Sequence, residues 1–440
     1  MSIINYQNNQ KSNYTWLIFQ ISVLILPLFP IGGELGLFVV LIAMARSRSR
    51  RDAARPQYKI IISNPFNWGW LILTVWLIIN SFLADRPSFA WLGLANFLPF
   101  FALFIAISHL INTPHKLLRL AWLLIIPSVA VVVLGLGQLY FNWSSPQLVA
   151  TILGWELIDR GVYYGRMSSV FIHPNFLAIY LSFTFILSLG LWLTNLLNKN
   201  RNKYNLVVLS IILITNSIGL LLANSRNSWL IVFLVCLAFA IYLGWYWIVS
   251  VITTITTVIF YASFGNLWGQ QGLRKIIPEL IWGRLSDKIY PNRPVETLRI
   301  TQWQFCWLKI QERPFRGWGL RNFTPLYLEQ TNFWYGHPHN LFIMLGVEIG
   351  VLATVFLCVM VGRILFGTTL LLLKRKPRFN REERLIIFTY LLTFASCILF
   401  NIFDVTIFDL RVNTISWIIL AAIAGVGQIP RSQDANYYKP

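Results

Sequence analysis

Between Trp16 and Val426 the chain returns about twelve times to an apolar run of membrane-crossing order, and this dictates the solvent in which it folds. A hydrocarbon layer of roughly 30 Å takes about 20 residues of helix to cross. Inside it each N–H and C=O needs a partner from the chain itself, so the runs are predicted to be helices in an all-α, polytopic integral membrane protein. Composition agrees: 56% of the 440 residues are hydrophobic and 12% charged, against about 25% charged in soluble domains. The formal charge of +20 could suggest a nucleic-acid partner, but that needs a soluble basic face, and most of this sequence is apolar. No nucleic-acid partner is expected; membrane lipid is.

The predicted crossings fall near 15–30, 33–46, 66–83, 89–108, 117–139, 174–196, 205–224, 228–244, 247–264, 341–373, 385–403 and 413–428. The tenth is too long for one straight passage, so it must tilt, break or extend beyond the bilayer. Pro27 and Pro30 interrupt the first run and no small-residue cleavage site follows, which reads as an uncleaved span. Five stretches result: a helix pair with a basic loop over 1–65, helices three to nine over 66–264, one large exported loop over 265–338, helices ten to twelve over 339–428, and a tail over 429–440. The four cysteines offer neither a disulfide framework nor a metal-binding cluster.

The positions of Lys and Arg set the orientation. With the N-terminus inside, twenty of the 36 cations fall on inside segments, from Lys11 through the runs Arg46–Lys59 and Lys374–Arg384 to Lys439. Five fall in short outside loops: Arg86, Arg160, Arg166, Arg226 and Arg411. Both termini are therefore expected inside. The long loop carries ten cations, from Arg274 to Arg321, against five acids. Long loops translocate largely regardless of charge, so the topology stands. The excess fits either an amphipathic loop near anionic lipid or an anion-binding face.

Three polar motifs begin predicted crossings at that outer side: Arg166-x-x-Ser-x-Phe-x-His173-Pro174-Asn175, Asn224-Ser225-Arg226, and His337-Pro338-His339-Asn340. The N–H groups and positive dipole end of a helix start favour an anion, phosphate above all. Arg226 is the informative exception, because a cation in a first turn opposes the dipole by about 0.3–1 kcal/mol. A local rule broken without compensation suggests a site. On position alone Arg226 also reads as an interfacial arginine snorkelling to headgroups, with Leu230, one turn on, packing its helix. His339 suits a general base and equally an ordinary interfacial histidine. A metal set of His173, His337 and His339 is disfavoured, because neither HExxH-type spacing nor a nearby carboxylate pair supports it. Arg299 and Trp303, one turn apart, predict an amphipathic helix on the membrane surface, ended by Arg313-Pro314-Phe315-Arg316-Gly317-Trp318-Gly319. Glu348, an acid within an apolar run, is a candidate by cost alone and could pair with Arg226 or another cation, or cap a bundle-interior network. Asp404 and Asp409 read as a small solvated loop near Arg411.

Taken in order, Arg226-x-x-x-Leu230, Arg299-x-x-x-Trp303, the Arg313–Gly319 turn and His339-Asn340-Leu341 with Gly350 resemble the O-antigen ligase and polymerase superfamily, as do His173-Pro174-Asn175 and the twelve-span layout. The resemblance covers roughly 66–428. It implies a metal-independent, inverting glycosyltransferase of the bacterial inner membrane, without cofactor, with cytoplasmic termini, a periplasmic loop at 265–338 and a site facing the periplasm. Its partners would be an undecaprenyl-diphosphate-linked glycan donor and a lipid A–core or glycan acceptor. By the family pattern Arg226 and Arg299 hold the diphosphate and His339 deprotonates or orients the acceptor hydroxyl. Arg166, His173, Asn175, His337, Asn340 and Glu348 are secondary candidates. A cyanobacterial member is described as an inorganic-carbon transporter, so bicarbonate or other solute transport is the alternative. A transporter would place ionisable or unwound segments near the midplane, often in two related halves, and no half-repeat is evident.

Overall fold

Proline and capping residues set where the helices begin. The computed structural model describes residues 2–51, 65–265, 269–286, 294–374 and 379–427. The basic positions Arg55, Lys59, Lys288, Arg293, Arg375, Lys376, Arg378, Arg431 and Lys439, and the tail at 429–440, lie outside them. Among the described residues every regular element is helical. The helices are α1 (Ser2–Ile25), α2 (Pro30–Arg51), α3 (Pro65–Phe82), α4 (Pro87–Gly93), α5 (Leu98–Leu110), α6 (Pro114–Tyr140), α7 (Gln147–Leu153), α8 (Pro174–Leu197), α9 (Lys203–Ala223) and α10 (Arg226–Leu243). They continue as α11 (Tyr246–Phe264), α12 (Gln270–Ile276), α13 (Glu279–Leu285), α14 (Arg299–Glu312), α15 (Phe323–Thr331), α16 (Leu341–Ile349), α17 (Val351–Leu373), α18 (Arg381–Asn401) and α19 (Leu410–Gly427). Pro87, Pro114 and Pro174 stand at first helical positions, where a missing N–H costs nothing. Asn340 caps α16 through the Ile343 N–H, and Asn380 with Glu383 forms a capping box on α18.

Nine of the described helical stretches are long and apolar enough to cross a bilayer, counting Pro87–Leu110 as one. The three other expected crossings coincide with α1, α2 and α3, which fall short of that combined length and hydropathy. Two helices form the centre: 89% of the spanning window is buried in both α8 and α19, against 11% in α11. Lipid tails are as apolar as leucine, so close approach has to hold such helices together. Gly425 of α19 lies against the Ser108 and Ile111 carbonyls at the end of α5, where a Cβ would collide with backbone. Interhelical hydrogen bonds add less, about 0.6 kcal/mol each. Tyr390 of α18 donates to the Leu117 carbonyl of α6 at 2.8 Å, and Trp192 of α8 to Ser210 of α9 at 3.0 Å.

The overlong tenth run is broken at Gly350, between α16 and α17. A break strands carbonyls that lipid cannot satisfy, so it has to be covered by protein. The Arg313–Gly319 turn supplies the cover. Trp318 N–H donates to the Val347 carbonyl (2.9 Å), Gly319 N–H to Glu348 (2.8 Å), and Val351 N–H to Pro314 (2.8 Å). Trp76 of α3 donates its indole N–H to the Ile349 carbonyl at 3.0 Å. Gly350 itself has φ 86°, a left-handed conformation, and a Cβ there would meet the Phe315 carbonyl oxygen. Gly350→Ala is therefore expected to destabilise the protein by more than about 2 kcal/mol, read as a lower unfolding midpoint in detergent micelles. An unchanged midpoint would mean that this break is not strained.

The predicted surface helix is real but is not merely surface-bound. In α14, Phe305 and Cys306 are buried with Trp318, Phe323 and Tyr327 of the following segment and with Met344 and Val347 of α16. Glu348 is buried within α16. Its carboxylate accepts the backbone N–H groups of Arg321 and Phe323, capping the start of α15. Leu230, expected to pack α10, is 47% exposed and faces outward.

Candidate active site

The candidate residues converge where four connections meet: the loop before α16, the start of α8, the start of α14 and the loop between α18 and α19. The last brings a residue that its sequence neighbourhood disguises. Asp404, expected from sequence to be part of a solvated loop, is only 4% exposed. Asn175 Nδ2 donates to its Oδ2 at 2.6 Å, and the Val405 N–H donates to Oδ1 at 2.9 Å. His339 Nδ1 lies 3.4 Å from the same Oδ1, and His337 Nε2 lies 3.7 Å from it. Asp409 is not a solvated loop residue either: it caps α19 through the Val412 N–H. Arg411, expected among the loop cations, is buried in the first turn of α19, where it donates to the Gly154 carbonyl and lies over the Phe171 ring.

Local backbone chemistry fixes the rings. His173 and His337 each precede a proline, and in each the Nδ1 accepts the N–H two residues on, from Asn175 at 3.0 Å and His339 at 3.2 Å. In a neutral ring the proton then sits on Nε2. His339 occupies the left-handed region at φ 53°, a strained conformation for a residue with a Cβ. That conformation aims Nδ1 at Asp404 and leaves Nε2 facing the Tyr335 hydroxyl at 3.3 Å. An ionised Asp404 takes the Nδ1 proton as a hydrogen bond, so Nε2 carries the lone pair.

Burial pushes the His337 and His173 rings down to about 4, against the pull of Asp404. Burial alone would raise Asp404, but the hydrogen bond from His339 and the neighbouring imidazoles outweigh it and hold the carboxyl well below the usual carboxylate range. The centre therefore contains a carboxylate, two neutral rings and a third ring oriented by the carboxylate.

Arg166 and Arg299 act on it electrostatically. Arg166, 8% exposed, donates to the Ala223 carbonyl at 3.0 Å and to Asn175 Oδ1 at 3.0 Å, so it steadies the amide that holds Asp404. Arg226 opens α10 three residues beyond Ala223 and is partly buried. Asn227 next to it donates to the Phe400 carbonyl at 2.9 Å, near the end of α18. Arg299 opens α14, is exposed, and acts electrostatically on both Tyr335 and His337. Trp303, one turn on, donates its indole N–H to the Pro338 carbonyl at 2.9 Å and clamps α14 to the histidine loop. Arg226 stands at a helix start, as the sequence predicts, and Arg299, expected only on an amphipathic helix, also opens one. Glu348 is set apart by its capping role.

Donor atoms of His337, His339 and Asp404 lie within 4.8 Å of one another and could together hold a metal ion. The set differs from the trio suggested by sequence, since it includes a carboxylate 65 residues beyond His339 in the chain.

No curated protein matches the chain. A family model described as O-antigen ligase matches residues 209–358. The matched segment holds Arg226, Arg299, His337, His339, Asn340 and Glu348; Arg166, His173, Asn175 and Asp404 lie outside it and join the cluster only through the fold. Over this segment the chain is similar to the O-antigen ligase family.

Proposed function

We propose that the protein transfers a glycan from an undecaprenyl-diphosphate carrier to an acceptor hydroxyl at the periplasmic face of a bacterial inner membrane, as an O-antigen ligase or polymerase does. The carrying observation is the Asp404–His339 contact beside a helix-start arginine, Arg299. His339 Nε2 removes the proton of the acceptor hydroxyl, displacing Tyr335, while Asp404 holds Nδ1–H and stabilises the imidazolium that forms. The acceptor oxygen bonds to the anomeric carbon as the bond to the diphosphate oxygen breaks. Arg226 and Arg299 hold the charge that develops on the leaving group, each guanidinium offering paired donors to phosphate oxygens. Base and leaving group on opposite sides of the anomeric carbon give inversion. With two guanidiniums present, the leaving group needs no divalent cation, so transfer by the purified protein should not slow in excess EDTA; a loss reversed by added metal would contradict this. The acceptor class is read from a deletion strain. Glycan chains intact but not attached to the lipid core mean ligase, single-repeat products mean polymerase, and an unaltered glycan profile would overturn the proposal. Solute transport is not favoured, because the informative charges gather at helix starts rather than in paired half-repeats.

A further inference from the structure

The Asp404 centre has a second chemistry that catalysis does not require. His339 Nδ1 bonds Asp404 Oδ1 at a long 3.4 Å, and His337 Nε2 stands off at 3.7 Å, beyond hydrogen-bond reach. Those two separations lie close to the roughly 3.3 Å between ligand atoms of a tetrahedral ion with bonds of about 2.0–2.1 Å, while the three donor atoms span up to 4.8 Å, so the two ring nitrogens draw together on binding. The outer partners that orient metal ligands are also in place: Asn175 and the Val405 N–H fix the carboxylate, with Arg166 behind Asn175. We infer that His337, His339 and Asp404 form a binding site for a zinc-like transition-metal ion, whose occupancy silences His339.

Two imidazoles and one carboxylate favour zinc or cobalt over magnesium or calcium, which take oxygen ligands. Three protein ligands leave a fourth position for water. Binding at His337 Nε2 moves that neutral ring's single proton to Nδ1 and so gives up the hydrogen bond from the His339 N–H, a small loss against the gain from coordination. Arg299, which acts on His337, opposes a dication and sets the expected affinity near the micromolar range, about 8 kcal/mol, rather than that of a closed structural site. The consequence for His339 follows from proton bookkeeping. A metal on Nδ1 takes that lone pair, and the neutral ring's single proton must then sit on Nε2. The nitrogen that would accept the hydroxyl proton is then already protonated. This inhibitory half rests on the reading of His339 as the base; the metal site does not.

The test is a Co²⁺ titration of the full-length protein, purified in detergent without a polyhistidine tag. About one Co²⁺ per chain should bind with the visible absorption of a tetrahedral ion and be displaced by Zn²⁺ but not by Mg²⁺. H337Q and H339Q should each weaken binding by about a hundredfold or more, N175A by about 10–100-fold through the carboxylate, and H115Q, on another part of the fold, not at all. The histidine variants leave Asp404 in place, so the outcome does not depend on whether D404N folds. Absence of binding, or binding unchanged in both histidine variants, would overturn the site. In a glycan-transfer assay, Zn²⁺ should inhibit at least about tenfold with the midpoint of its binding curve, and Mg²⁺ should not. Full-rate transfer by the zinc-saturated protein would overturn the inhibition and leave the metal site standing. If no condition supports transfer, the glycosyltransferase reading fails, and the Co²⁺ titration still decides the site.

Discussion

Asp404→Asn is expected to lower the rate of glycan transfer by about 10³–10⁴-fold while leaving the affinity for the diphosphate-linked donor within a few-fold of the parent. The carboxylate and the amide are nearly isosteric, and the Val405 N–H bond at 2.9 Å is kept when the amide oxygen takes the Oδ1 position. What changes is the proton on His339. If the amide NH₂ is turned toward Nδ1, the ring must accept there and carry its proton on Nε2, where it cannot act as a base. If the amide oxygen is turned toward it, the NH₂ faces the Asn175 amide donor, which lies 2.6 Å from Oδ2 in the parent. Either arrangement removes the negative charge that offsets the developing imidazolium. A loss in turnover rather than in donor affinity is the signature of an orienting role. A variant that is merely misfolded would lose donor binding as well.

Arg299→Ala and Arg226→Ala are expected to cost about 3–4 kcal/mol each in transition-state stabilisation, or roughly 10²–10³-fold in turnover. The comparison with lysine separates charge from geometry. A lysine restores a point charge without the planar pair of donors, so Arg299→Lys should recover only part of the loss. Arg226, partly buried beside the end of α9, should tolerate lysine less well than the exposed Arg299. Equal activity of alanine and parental proteins would remove the diphosphate role from that position. If both variants lost stability rather than turnover, the first-turn arginines would be structural.

Much of this arrangement is legible in the chain, for reasons that differ by residue. Arg226 could be found because helix starts have local signatures, and a cation in a first turn violates one of them; Arg299 is marked by its one-turn spacing to Trp303 and by the family resemblance. His337-Pro338-His339-Asn340 could be placed because proline and asparagine mark the start of α16. The break at Gly350 is foreshadowed by excess length alone. Its position depends on the Arg313–Gly319 turn, which donates hydrogen bonds to the carbonyls that the break exposes. Leu230 misleads because an apolar residue on a membrane helix can face lipid as readily as protein. Asp404 escapes a reading of the sequence because its partners lie in distant parts of the chain. A signal is nevertheless present: it sits within Ile402-Phe403-Asp404-Val405-Thr406-Ile407-Phe408, and an acid flanked by such residues is a poor candidate for a solvated loop. The carboxylate that the sequence does not place near the histidines is thus present in it, but unpaired until the chain folds.

The decisive experiment is glycan transfer by purified protein from an undecaprenyl-diphosphate-linked donor, with the anomeric configuration of the product determined and the parent compared with His339→Ala. The expected result is an inverted product and a variant slower by about 10²–10⁴-fold that still binds donor. Transfer by His339→Ala at the parental rate, or a product with retained configuration, would contradict the assignment of His339 as the base of an inverting glycosyltransferase.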